Sequence, residues 1–445
     1  ELYCEWSGVL FLILWIFSPF ILGWGATICP DVAATSIGIV ELYTFWHWLK
    51  NPTWKKTMIA GICLGLMPLT KMTWIIAPPI WLLLWILWRW CFFVPKIETK
   101  TKPPFLQFVV IMLLALYTIN TGYFFDGSLK LLNQYRFISG TLTNTEVTKN
   151  TPIKPDNRFK DSWFGYIPIP LPTEFVQGID TQKRDFERGL PSYLRGEWSD
   201  HGWKQYYCYI LILKEPLGVW CLAGLTLFAT IFYRRFNSAW YHEIVVVLPM
   251  LIIFCFISSQ NGFSIHPRYI IPILPFLYIF VSKTAQSLSQ QKPLLVFLTT
   301  GCLVWVVVHS LSFFPHSMSY FNELAGKPQN WSKYLLGSNI DWGQDFYELK
   351  NWCEKYPKKK PLFISVESAI SLDKLNIEHD GNVPETPQNG WILISVNLLN
   401  DQTEKYKWLK KYKPIGMIGY SIYIYHVTQE DANRVRCEMG LTEIE

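Results

Sequence analysis

The chain has 445 residues, of which 50% are hydrophobic and only 17% charged, and its formal net charge is +6. Soluble domains usually carry about a quarter charged residues, so this shortage, with a mean hydropathy of +0.16, excludes an ordinary soluble protein. The positive balance would suit nucleic acid, but the basic residues fall at the ends of apolar runs, where membrane topology wants them, and nucleic acid is not an expected partner.

A membrane-crossing helix needs about 20 mostly apolar residues, because lipid offers an exposed peptide group no partner. Nine stretches are predicted to cross: 5–22, 32–49, 57–70, 73–91, 105–123, 208–233, 243–259, 269–282 and 293–313. The third is short enough to stop partway. The fold class read from this pattern is an α-helical polytopic membrane protein with a small extracytoplasmic α/β C-terminal domain.

Residues 1–123 hold five closely spaced spans. The chain enters the first almost at once, with no charged leader or small-residue cleavage site, so the start does not read as a signal peptide. Residues 124–207 form a long connection rich in Pro, Gly, Asp and aromatics, expected to fold over the membrane surface with short helices such as TQKRDFERGL. Residues 208–313 carry four more spans. In the polar tail, 314–445, SKYLLGSNIDWGQDFYELKNWCEKY reads as partly helical, PLFISVES and GWILISV as strands, EKYKWLKKY as amphipathic and IGMIGYSIYIYHV as a strand or hairpin. Strands spaced by helices predict a small α/β domain.

Alternating the spans puts Lys50, Lys55, Lys56, Arg89, Lys96, Lys100, Lys102, Arg234, Arg235, Lys283 and Lys292 on one side, with only Lys71 and Arg268 in the short loops opposite. The first side is therefore cytoplasmic, and 124–207 and 314–445 face the other way. Ten cysteines show no metal-ligand spacing. Cys63, Cys255 and Cys302 fall inside spans as small hydrophobes; Cys353 and Cys437 share the tail, and a disulfide between them stays open.

Ionisable groups at the outer span ends carry the functional signal, since burying charge in a membrane is costly. Asp31, in GWGATICPDVAATS, is either an N-cap for the helix that follows or a general base or metal ligand. Lys71, in LGLMPLTKMTW, either snorkels to the interface or meets a phosphate. His266, Arg268 and Tyr269 open a span broken by Pro272 and Pro275; they form either an interfacial belt or, through the planar fork of arginine, an anion site. All map to one membrane face. Asp180, Lys183, Asp185, Glu197, Asp341 and Asp345 are further candidates, each also readable as solvated or capping charge. DWGQD, 341–345, suggests a contact that docks the tail onto the membrane core.

The acidic loop around Asp31, LGLMPLTKMTW, HPRYIIPILPF, LKEPLG and SYFNELAGKPQNWSKYLLGSNIDWGQDFYELKNW together resemble glycosyltransferase family 39, of the C superfamily of lipid-carrier-dependent sugar transferases. The resemblance covers most of the chain. It implies transfer of a hexose or pentose, in mannosyltransferase-like fashion, from a polyprenyl-phosphate or diphosphate carrier to a glycan, lipid or protein acceptor outside the cytoplasm. The bacterial cytoplasmic membrane is the expected location. On that resemblance Asp31 matches the second acidic position, and Lys71, His266 and Arg268, with Tyr269 beside them, match places where the carrier phosphate is held. The family's first acidic position lies in a loop between its first two spans, which is expected upstream of Glu1. No cofactor is implied beyond a divalent metal that Asp31 could hold. Membrane lipids are the remaining partner. A transporter or flippase of lipid-linked substrates would place charges near mid-membrane and show internal repeats, of which none is visible. A non-catalytic membrane scaffold is the third reading.

Overall fold

The computed structural model describes residues 2–91, 102–148, 151–233, 236, 240–260, 264–368 and 370–444. Lys96, Lys100, Arg234 and Arg235, four of the cations assigned above to the cytoplasmic side, lie outside them.

The first helices, α1 (Glu5–Ile16) and α2 (Pro19–Gly25), meet at 53°. Pro19 supplies no N–H to the turn before it, and Ser18 caps α2 by accepting from the Ile21 N–H. Next come α3 (Asp31–Lys50), α4 (Trp54–Thr70), α5 (Ala77–Ile86) and α6 (Phe105–Gly122). Glycines let α4 lie close along α6. A Cβ on Gly65 would sit 2.6 Å from the Ala115 carbonyl oxygen, and one on Gly61 would sit 2.7 Å from Leu114. Small residues spaced by four are a common device for close helix contact in membranes.

The described residues of 124–207 carry short helices, turns and a hairpin. A short α7 (Gly140–Thr143) precedes α8 (Thr173–Arg188), which contains the predicted TQKRDFERGL helix up to Arg188, ends before Gly189, and begins eight residues earlier. A hairpin of β1 (Ser192–Leu194) and β2 (Glu197–Ser199) follows, turning at Arg195 and Gly196, both at positive φ.

The predicted span 208–233 needs correction. It is two helices, α9 (Tyr206–Lys214) and α10 (Leu217–Phe232), bent by 101°. Pro216 removes a backbone donor and disfavours helix at the residue before it, and Glu215 is extended, with φ −89° and ψ 139°. The helices α11 (Trp240–Ser259), α12 (Leu274–Val281), α13 (Gln286–Ser289) and α14 (Pro293–Phe313) complete the apolar part. A 3-10 segment, Pro267–Ile273, leads into α12, where Pro272 and the neighbouring Pro275 interrupt regular helix bonding.

Five of the described helical runs are long and apolar enough to cross a membrane, or up to seven if each bent pair counts as one span. The two other predicted spans fall on α3 and α4. The first carries Asp31, Glu41 and Lys50 and the second has 17 residues, yet both pack within the same bundle. The molecule is thus mostly helical, with apolar helices of a membrane protein, the two-stranded hairpin and one four-stranded sheet.

The four-stranded sheet belongs to the C-terminal part, made of α15 (Phe346–Lys355), β3 (Leu362–Ser365), β4 (Gly390–Ser395), α16 (Val396–Leu399), β5 (Gly416–Ile418), β6 (Ile422–Val427) and α17 (Gln429–Glu438). The strand order is β3-β4-β6-β5, with β3 and β4 parallel and the remaining pairs antiparallel. Both predicted strands are present, and IGMIGYSIYIYHV is a hairpin. EKYKWLKKY is shorter than its pattern implies, a 3-10 turn at Lys407–Lys411. Cys353 and Cys437 are both free thiols, which removes the disulfide between them.

The C-terminal part is pinned to the helices by polar contacts. Buried Lys214, at the end of α9, donates to the carbonyls of Met318 (2.9 Å) and Asn339 (2.5 Å). Asn322 donates to the Glu215 carbonyl, and the Asn339 amide donates to the Tyr206 hydroxyl. The hairpin adds bonds from Trp198 to the Asn400 carbonyl and from the Arg195 N–H to the Tyr334 carbonyl.

Candidate functional site

Asp31 begins α3, Lys71 follows the end of α4, and Arg268 stands in the 3-10 segment before α12. Alternating direction of these elements brings the three to one end of the bundle. Asp31 is not the N-cap, a position held by Pro30; it is the first helical residue, where a carboxylate complements the helix dipole. Its side chain, 3% exposed, is ion-paired to Lys71 through Oδ1 and lies 3.9 Å from Arg268 Nε through Oδ2. Two cations against one carboxylate leave one positive charge in excess.

Aromatic rings frame these charges. The Lys71 ammonium sits 4.8 Å over the ring of Tyr269. The Arg268 guanidinium carbon is 5.6 Å from the rings of both Trp24 and Trp342 and 5.7 Å from that of Tyr269, and its Nη1 reaches Cys29 Sγ at 3.4 Å. Such cation–ring contacts gain strength where water is excluded.

His266 shares a hydrogen bond with Ser338 Oγ at 2.9 Å and turns its ring against Trp342, 5.3 Å away. Burial, then the nearby positive charges of Arg268 and Lys71, push its pKa down to about 4. At neutral pH it is an uncharged imidazole, so it offers a hydrogen bond to an anion and adds no charge.

Beside Lys71 and Tyr269 an apolar cleft opens between the 3-10 turn after Lys71, α8 and α11, with Trp74, Ile76, Phe186, Ile253, Phe256 and Ile257 on its walls. Phe256 is 40% exposed on a helix apolar enough to cross a membrane, so the cleft lies at the apolar flank of the bundle. A separate apolar cavity of about 400 Å³, near Tyr3, Trp46 and His242, lies toward the other end of α3 and holds none of the predicted residues.

The loop candidates divide. Asp180 is buried and accepts from the N–H groups of Ile138 and Ser139, which makes it a structural anchor. Lys183 pairs with Glu187 along α8, and Glu197 is exposed on β2. Asp185 is close enough to act electrostatically on Tyr269, and its neighbour Phe186 walls the cleft. Asp341 bonds to Ser395 and to the Gly343 N–H, and Asp345 to His316 and Ser421; these bonds stay within the tail rather than docking it onto the helices, and of this segment it is Trp342 that meets Trp24 and Arg268.

Among the described residues no group of three or more His, Cys, Asp or Glu side chains is arranged to hold a metal ion. A cation placed at Asp31 would face Lys71 and Arg268 directly; the donor set fits an anion better.

Four residues had no role assigned to them individually in the sequence reading, although DWGQD and LKEPLG contain three of them. Trp342 comes to the site from the C-terminal part. Lys214 and Glu215 are buried at the α9–α10 bend, where Glu215 accepts from the Tyr278 hydroxyl. Glu41, midway along α3, is fully buried with neither carboxyl oxygen in a normal hydrogen bond. Its lack of an apolar side chain within a predicted span was the signal available.

Comparison with known proteins finds no family model that matches this chain, no curated protein and no solved structure.

Proposed function

We propose that the chain is an integral-membrane glycosyltransferase, of the kind it resembles in glycosyltransferase family 39, that moves a sugar from a polyprenyl-phosphate or diphosphate carrier to an acceptor outside the cytoplasm. The observation that carries this reading is the meeting of Lys71 and Arg268 on Asp31 beside an apolar cleft. An isoprenoid phosphate has these two halves, a chain that must stay among apolar groups and a headgroup that needs cations.

In this reading the acceptor hydroxyl oxygen attacks the anomeric carbon. The bond from that carbon to the phosphate oxygen breaks, and the phosphate leaves with the electron pair. Arg268, through its donor fork, and Lys71 stabilise the charge that develops there. His266 adds a neutral hydrogen bond. Asp31 holds both cations in place before the donor arrives. A bound phosphate competes for them, which releases the carboxylate to take the proton of the acceptor hydroxyl.

The transporter reading keeps one support, the buried carboxyl of Glu41, since ionisable groups inside spans often mark translocation paths. One experiment separates the two. The protein in sealed vesicles is given radiolabelled polyprenyl-phosphate sugars on its extracytoplasmic side. The expected result is a labelled glycosylated product, lowered at least about 100-fold in Arg268→Ala, which removes an oxyanion-type donor. Label that changes leaflet without forming product favours transport, and full transfer by a folded Arg268→Ala protein counts against the phosphate site.

A further inference from the structure

Trp342 is 46% exposed, yet its segment is built to hold it still. Asp341 accepts from the Gly343 N–H at 2.9 Å and from Ser395 Oγ at 2.5 Å. Gln344 accepts from the Trp342 N–H at 2.7 Å and donates to the Ile340 carbonyl and to Ser319 Oγ. Asp345 accepts from His316 and Ser421. Gly343 permits the turn, with φ +76°. Every polar side chain of DWGQD is used to fix the position of one large apolar ring that remains open to solvent.

The position is specific. The indole stands 5.6 Å from the Arg268 guanidinium, 5.3 Å from the His266 ring and 6.3 Å from Trp24. The apolar cleft is lined by Lys71 and Tyr269 and not by Arg268 or Trp342, and Tyr269 links it to Arg268, 5.7 Å away. Contact by contact, the cleft meets Lys71 and Tyr269, these meet Arg268, and Arg268 meets the exposed indole.

We propose that Trp342 is the platform on which the sugar ring of the lipid-linked donor rests, which makes it a specificity residue supplied by the C-terminal part. This rests on the carrier-phosphate reading above. A pyranose or furanose presents a face of C–H groups, and such a face packs against the electron-rich face of an aromatic ring. A tryptophan that only anchors a protein at the membrane interface needs no such fixed seat. With the isoprenoid chain in the cleft and the phosphate at Arg268, the attached sugar lies within reach of the indole.

The test uses the full chain in lipid nanodiscs, titrated with bare undecaprenyl phosphate and with its glucosyl, mannosyl, galactosyl and arabinosyl forms. At least one glycosylated form should bind about tenfold more tightly than the bare carrier, a typical gain for a well-placed aromatic contact. Trp342→Ala should erase that gain, weakening the glycosylated form about tenfold more than the bare carrier, whereas Trp342→Phe should keep most of it. The platform is overturned if the gain survives in Trp342→Ala, if no glycosylated form outbinds the bare carrier, or if Trp342→Ala weakens bare carrier equally. The phosphate reading is judged apart from it. Arg268→Ala should weaken bare and glycosylated carrier alike, and a native protein that binds no bare carrier overturns both.

Discussion

Asp31, Lys71 and Arg268 arrive from three different elements, and each alone would be an expensive group to bury. Together they offset one another, which gives a prediction. Asp31→Asn leaves two cations without their carboxylate and should cost about 3 kcal/mol of stability, the lower end for breaking a buried pair. Asp31→Asn combined with Lys71→Met should cost less than the sum of the two single changes, as read from thermal unfolding in detergent. Strict additivity would mean that the two side chains do not interact. These three residues were legible because each is an ionisable group at the end of an apolar run. Trp342 was not, because one more tryptophan among 22 carries no sign of what it faces. The charge state of His266 was equally hidden, since it depends on burial and on neighbours distant in sequence. Lys214 and Glu215 stood in LKEPLG, but their burial and their partners at Met318, Asn339 and Tyr278 did not show there; Glu41 sits within an apolar stretch, where composition averages it away.

The helices owe their positions to a few local features. Gly61 and Gly65 set the distance between α4 and α6, and through it the place of Lys71 one residue beyond the end of α4. Gly65→Leu should force these helices apart, destabilise the protein by about 2 kcal/mol, as overpacking commonly does, and lower carrier binding by displacing Lys71. Melting and binding assays on the same preparation check both effects; an unchanged melting midpoint would show that the contact tolerates bulk. Hydrophobic length located most of the helices, since it reports directly on what lipid demands. It failed at 208–233, because one apolar count runs straight across Glu215 and Pro216 while the backbone turns there. It also gave no hint of the β1–β2 hairpin, whose strands are three residues each and too short to show alternation.

The helical part and the C-terminal part form one functional unit, joined through buried polar groups whose protonation matters. Burial, reinforced by the nearby Glu367 and Asp345 carboxylates and opposed by hydrogen bonds from Ser395 and Gly343, pushes the Asp341 pKa up to about 7. Its unfolded value is about 3.9, so its neutral form is favoured by folding. The stability it lends is full below about pH 4 and is lost as pH rises toward 7. The hydrogen bond to Asp345 raises the pKa of His316 above 6.5, so its contribution is full below that value and is lost as pH climbs through the raised one. Both act in the same direction. The unfolding midpoint, followed by tryptophan fluorescence, should fall between pH 4 and 8, and Asp341→Asn should flatten the acid half of that slope. A midpoint that climbs over this range would contradict the assignment. The α/β character of the tail was readable from its alternating patterns, but its seating against α9 and the hairpin depends on carbonyl partners that no residue pattern announces. One consequence concerns biosynthesis. Because Lys214 finds its partners at Met318 and Asn339, and Arg268 its indole at residue 342, the pocket stays unfinished while the ribosome is still making the last third of the polypeptide. Under the proposed function, a nascent chain would hold the cations before it held the indole, and sugar transfer would begin only after translation had delivered the final segment.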